Sequence, residues 1–87
     1  RPALAPLPGG RWLLAWVEGD RENGRRVRAQ ALAASLTAEG PVVEIAATPD
    51  PVGALVLHAA GPAVLVLFSE RRHRQSEVLQ AARISCR

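Results

Sequence analysis

A chain of 87 residues and 9.3 kDa has room for one small domain, with a core that buries barely enough apolar surface to stand without further support. Hydrophobic residues make up 48% of it and charged residues 22%, a globular balance that excludes a disordered segment. The net charge of +3 is milder than a duplex-binding domain concentrates on one face, so nucleic acid is not an expected partner.

The chain opens Arg1-Pro2 and ends at Arg87, just after the strand-like Arg83-Ile84-Ser85-Cys86, which reads as a segment of a longer protein. From the N-terminus, a strand over Ala3 to Leu7 leads into the turn Pro8-Gly9-Gly10-Arg11, whose glycines supply the positive φ values of a tight hairpin. The next strand, Trp12 to Glu18, sends Trp12, Leu14 and Trp16 one way and Leu13, Ala15 and Val17 the other. All six are apolar, as in a strand buried on both faces, and Trp12 and Trp16 are expected side by side in the core. A polar loop, Gly19 to Arg25, precedes a third strand, Arg26 to Ala34, in which Val27, Ala29 and Ala31 alternate with Arg26, Arg28 and Gln30. After the turn Thr37-Ala38-Glu39-Gly40-Pro41 comes a fourth strand, Val42 to Ala46.

The second half reads as strand Ala54 to Ala59, turn Ala60-Gly61-Pro62, strand Ala63 to Ser69, loop Glu70 to Ser76 and strand Glu77 to Ile84. The uncharged stretch Val52 to Ser69 is interrupted by Gly53, His58 and Gly61-Pro62, which suits two strands and a turn and makes a poor membrane span. The halves correspond at one offset. Aligning Trp16-Val17-Glu18 with Phe68-Ser69-Glu70 sets a shift of 52, which also lays Gly9 on Gly61, Trp12 on Val64, Leu14 on Val66, Ala29 on Ala81 and Leu32 on Ile84. Ala3-Leu4-Ala5 falls on Leu55-Val56-Leu57, so no insertion is needed. The reading is all-β: a first repeat unit over residues 1–48 and a second, cut short before a fourth strand, over 49–87.

Pro8 to Trp16, then Val27-Arg28-Ala29-Gln30-Ala31-Leu32, then Leu36-Thr37-Ala38-Glu39-Gly40, resembles the blade repeats of bacterial β-propeller proteins. There an apolar strand ending in Trp precedes an Arg-Ala-Gln-like strand and a Gly-containing turn. The resemblance implies about two successive antiparallel blades and carries no catalytic signature. This chain departs from it in the second unit, where Phe68 replaces the Trp and the loop is more basic, and its spacing is longer than the commonest propeller repeats. The absence of Lys and the abundance of Ala suit a genome rich in G and C.

A competing α/β arrangement fits some of the same residues. Asp20 to Leu36 would be a helix with Val27, Ala31, Leu32 and Ser35 at helical spacing, and Val42 to Ile45 a strand. Pro51 to Ala59 would be a second helix, Val64 to Phe68 another strand, and Ser76 the N-cap of a helix reaching Arg83. That order resembles half of a receiver-like doubly wound domain and would imply a receiver-like or degenerate signalling role. Against it, Ser69-Glu70 stands where a receiver carries its phosphate-accepting Asp. Asn23-Gly24 would also lie inside the first helix, where Gly costs about 1 kcal/mol relative to Ala.

Little in the chain points to catalysis. His58 lies in an apolar strand without ligand-type neighbours, His73 sits among arginines, and Cys86 has no partner cysteine, so no catalytic residue, metal or cofactor is assigned. Glu18 and Glu70 occupy equivalent positions, either as a carboxylate ring or, more simply, as strand ends that each meet an Arg. Arg21, Arg25 and Arg26 in the first loop and Arg71, Arg72 and Arg74 in the second are the candidate partner-binding residues. The repeat would bring both clusters to one end, facing an acidic protein or polysaccharide. The expected role is a non-catalytic scaffold or interaction module that associates with the rest of a parent chain or with itself to complete a ring.

Overall fold

A computed structural model describes residues 2–72 and 76–85. Seven strands run β1 (Ala3–Pro6), β2 (Trp12–Asp20), β3 (Gly24–Leu32), β4 (Val43–Thr48), β5 (Val52–Ala60), β6 (Ala63–Arg72) and β7 (Ser76–Ser85). The only other regular element among the described residues is a 3-10 turn at Pro8–Gly10. The fold is all-β: a four-stranded meander β1-β2-β3-β4 and a three-stranded meander β5-β6-β7, every pairing antiparallel.

The α/β arrangement is overturned. Asp20 to Leu36 is mostly a hairpin, because Asn23-Gly24 closes a turn, with Gly24 at φ 78°, and the flanking residues alternate between two faces with period two. Pro51 to Ala59 is largely β5. Ser76 begins β7 and caps no helix, since Val78, Gln80, Ala82 and Ile84 are half-buried while Glu77, Leu79, Ala81 and Arg83 are exposed.

Both polar loops shrink as well. β2 runs through Asp20 and β3 begins at Gly24, so Gly19 to Arg25 is mostly paired strand around a three-residue turn. The Asp20 carboxylate closes that turn, accepting the backbone N–H groups of Glu22 at 3.0 Å and Asn23 at 2.7 Å and the Asn23 side-chain amide at 3.2 Å. Gly19 just before it has φ 107°, and a Cβ there would lie 2.1 Å from the Gly24 carbonyl oxygen, so no other residue fits without backbone movement. In the second sheet Glu70, Arg71 and Arg72 likewise belong to β6.

The sheets pack face to face. Ala5, Leu13, Ala15, Val27 and Ala29 of the first meet Leu55, Leu57, Val64, Val66 and Phe68 of the second, with Ile45 and Ile84 alongside. β2 and β6 each therefore turn one apolar face to the other sheet. In β2 that face is Leu13, Ala15 and Val17. Trp12 and Trp16, expected in the core, lie with Leu14 on the opposite face, half-buried and outside both core clusters. Period-two alternation groups the two Trp side chains on one face, but with both faces apolar it cannot say which one the second sheet covers.

The two hairpins share a register. Trp12 pairs with Leu32 and Trp16 with Arg28, while Val64 pairs with Ile84 and Phe68 with Gln80, each pair displaced by 52. The first strands differ by one residue: Leu4 pairs with Leu14, whereas Leu57, not Val56, pairs with Val66. The turns explain the slip. Five residues, 7–11, separate the paired Pro6 and Trp12, while Gly61-Pro62 alone separates Ala60 from Ala63.

Candidate functional site: the basic hairpin ends and the outer sheet faces

Five of the six candidate arginines fall among the described residues. Arg21 lies in the β2–β3 turn, Arg25 and Arg26 open β3, and Arg71 and Arg72 close β6; Arg74 and His73 lie outside the described residues. Arg25 Nη1 donates to the Pro49 carbonyl at 3.3 Å, Arg72 Nε stands 3.8 Å from Asp50 Oδ2, and the Arg71 backbone N–H donates to the Pro51 carbonyl at 3.0 Å. Three consecutive residues of the β4–β5 link thus hold both hairpin ends at one end of the molecule. Thr48 supports the link from a buried position, its hydroxyl accepting the Asp50 N–H at 3.1 Å. The string Thr48-Pro49-Asp50-Pro51 has turn composition, which marks a connection but not what it will bind.

Charge at this end is largely matched locally. Arg26 pairs with Glu44 at 3.0 Å, and Arg72 Nη2 donates to Glu70 Oε2 at 3.1 Å. Arg21 and Arg71 are exposed and form no ion pair among the described residues. An open depression of about 350 Å³ lies between the β2–β3 turn and the end of β4, lined by Glu22, Asn23, Arg25, Arg26, Thr48 and Pro49 among others. In the β2–β3 turn, hydrogen bonds from the Asn23 backbone, then from its side chain, hold the Asp20 carboxyl below its ordinary value.

Glu18 and Glu70 do not face a common ring. Glu18 lies on the outer face of the first sheet, accepting Trp16 Nε1 at 3.0 Å and pairing with Arg28 Nη1 at 3.3 Å. Glu70 is buried and held by Arg72. Each carboxylate ends in a local ion pair. His58 is exposed on β5 opposite Leu65, Cys86 lies outside the described residues, and no cluster of three or more His, Cys, Asp or Glu forms among the described residues.

The outer faces are the feature that sequence reading left unplaced. On the first sheet, Leu4 lies opposite Leu14 and Pro6 opposite Trp12, with Trp16 beside them. On the second, Val56 is opposite Leu67, which is opposite Ala81, and Leu79 is 72% exposed. A sheet with one face in water ordinarily alternates apolar with polar residues; here both outward faces keep an apolar centre. No protein-family model, curated protein or solved structure matches the chain.

Proposed function

We propose that this chain is a non-catalytic interaction scaffold, two successive units of a propeller-like repeat that stack face to face and present a basic end to an acidic partner, protein or polysaccharide. The observation that carries the reading is the apolar centre on both outward faces. Such faces suit a sheet covered on each side by another sheet, as in stacked repeats. The shared hairpin register at a shift of 52 supports units over 1–48 and 49–87. The basic end is the contact surface of this reading: Arg21 and Arg71 are exposed there, with Arg25, Arg26 and Arg72 behind them, tied to the link or to a carboxylate.

Salt elution from a sulfated polysaccharide column and binding to polyglutamate test the contact surface. Arg21→Glu with Arg71→Glu is compared with Arg11→Glu with Arg83→Glu, which changes the net charge equally away from this end. The reading predicts that the first pair elutes at markedly lower salt and the second at nearly the wild-type position. Equal losses would mean a response to net charge alone and would remove the assigned surface.

A further inference from the structure

The uncovered faces carry a direction. At the existing contact the first sheet contributes the face of Leu13, Ala15, Val27 and Ala29, and the second contributes the face of Val64, Val66 and Phe68. Through the hairpin register, Val64, Val66 and Phe68 stand where the first sheet has Trp12, Leu14 and Trp16. Leu13, Ala15, Val27 and Ala29 stand where the second sheet has Leu65, Leu67, Leu79 and Ala81. The contact is therefore back to front between equivalent positions, and one back and one front are left over.

Solvent exposure follows the same pattern. Val27 is fully buried while its equivalent Leu79 is 72% exposed. Val66 and Phe68 are buried while Leu14 and Trp16 are only half-buried. Charge agrees: the Glu70 side chain is 7% exposed, and that of Glu18, at the matching place on the free front, is 45% exposed.

We infer that the free back of the second sheet, centred on Leu65, Leu67 and Leu79, docks on the free Trp12–Leu14–Trp16 front of a second copy of this chain, head to tail. The occupant follows from continuity with the interface already present, because the docking repeats the relation that joins the two sheets. Front-to-front or back-to-back pairing would bring together faces that meet nowhere in the molecule. A head-to-tail contact does not close on itself in a pair. It leaves a front and a back free at the ends and grows into a ring if the rotation closes, or into a filament if it does not. This inference rests on the stacked-sheet part of the proposed function and is independent of the basic end.

Sedimentation velocity on the 87-residue chain over micromolar to millimolar concentration, with circular dichroism to verify folding, tests it. The wild type should grow in mass with concentration. Leu14→Glu blocks only the front and Leu67→Arg only the back, so each alone should sediment as a monomer, and an equimolar mixture should form a dimer and stop there. If either substitution abolishes the β spectrum, Leu14→Ser and Leu67→Ser replace it in the same mixing test. A mixture that remains monomeric, or a single variant that still associates like the wild type, overturns the head-to-tail assignment while leaving stacking open. A wild type that is folded and monomeric throughout overturns the assignment as well, while the packing of the two sheets within one chain stands. Either result leaves the polyanion experiment on the basic end unaffected.

Discussion

The front of the second sheet and the front of the first carry residues at equivalent hairpin positions in opposite circumstances. Val64, Val66 and Phe68 are buried beneath the first sheet and Glu70 is buried beside Arg72, whereas Trp12, Leu14, Trp16 and Glu18 look outward. The larger side chains are on the less covered side, the reverse of what burial alone would select in an isolated pair of sheets. Size and hydrophobicity therefore do not identify the core of this molecule. The core is set by which face has a neighbouring sheet.

Truncation sharpens the contrast most. Phe68→Ala should cost about 3–5 kcal/mol, the usual range for emptying a buried aromatic site, as measured by urea denaturation at low protein concentration. Trp16→Ala under the same conditions should cost clearly less, since the single chain covers that side chain only in part. Equal costs would show that Trp16 already works as a core residue and would erase the distinction between the two fronts.

How much of this was legible depends on what period two can report. The strands at Trp12 to Glu18 and Ala63 to Ser69 and the grouping of Trp12 with Leu14 and Trp16 follow from period-two alternation. The covered face does not, because Leu13-Ala15-Val17 and Trp12-Leu14-Trp16 are equally apolar. The strand ends at Gly19, Asp20, Glu70 and Arg71 look like loop in the sequence because solvated, charged strand tips carry no hydrophobic period. The partners of the basic cluster, Glu44, Asp50 and Glu70, were hidden because ion pairs across strands depend on register and not on sequence spacing.

The hairpin tips offer a second comparison. Gly19 and Arg71 occupy equivalent places, but only Gly19 is locked by a positive φ and a backbone approach. Gly19→Ala should cost about 1–3 kcal/mol from left-handed strain alone, while Arg71→Ala, at an exposed position, should stay within about 0.5 kcal/mol. A tolerant Gly19 in thermal unfolding would mean that the first hairpin has a looser tip than its geometry indicates.

The two carboxylates separate by burial. Glu70→Gln weakens a buried, charge-assisted pair with Arg72 and should lower stability by about 1–3 kcal/mol, whereas Glu18→Gln, half exposed, should change it by less than about 1 kcal/mol. Denaturant midpoints of both variants decide, and a larger loss at Glu18 would reverse the assignment of covered and uncovered fronts. The smallest effect is expected at Asp20. Its carboxyl is held below its ordinary value in the fold, so its support for the turn is present above the unfolded-state pKa and fades as pH falls through the lower folded value. Asp20→Asn should therefore lower the melting temperature slightly at neutral pH, with a difference that shrinks in acid. A difference that grows in acid would contradict the carboxylate's role in the turn.

Tryptophan emission reports on the free front alone, because Trp12 and Trp16 are the only tryptophans in the chain and both lie on it. In the wild type the account predicts a blue shift and falling acrylamide quenching as concentration rises. In Leu67→Arg, altered only on the far side of the other sheet, emission should stay red-shifted and quenchable at every concentration. Emission that is independent of concentration and identical in the two proteins would contradict it.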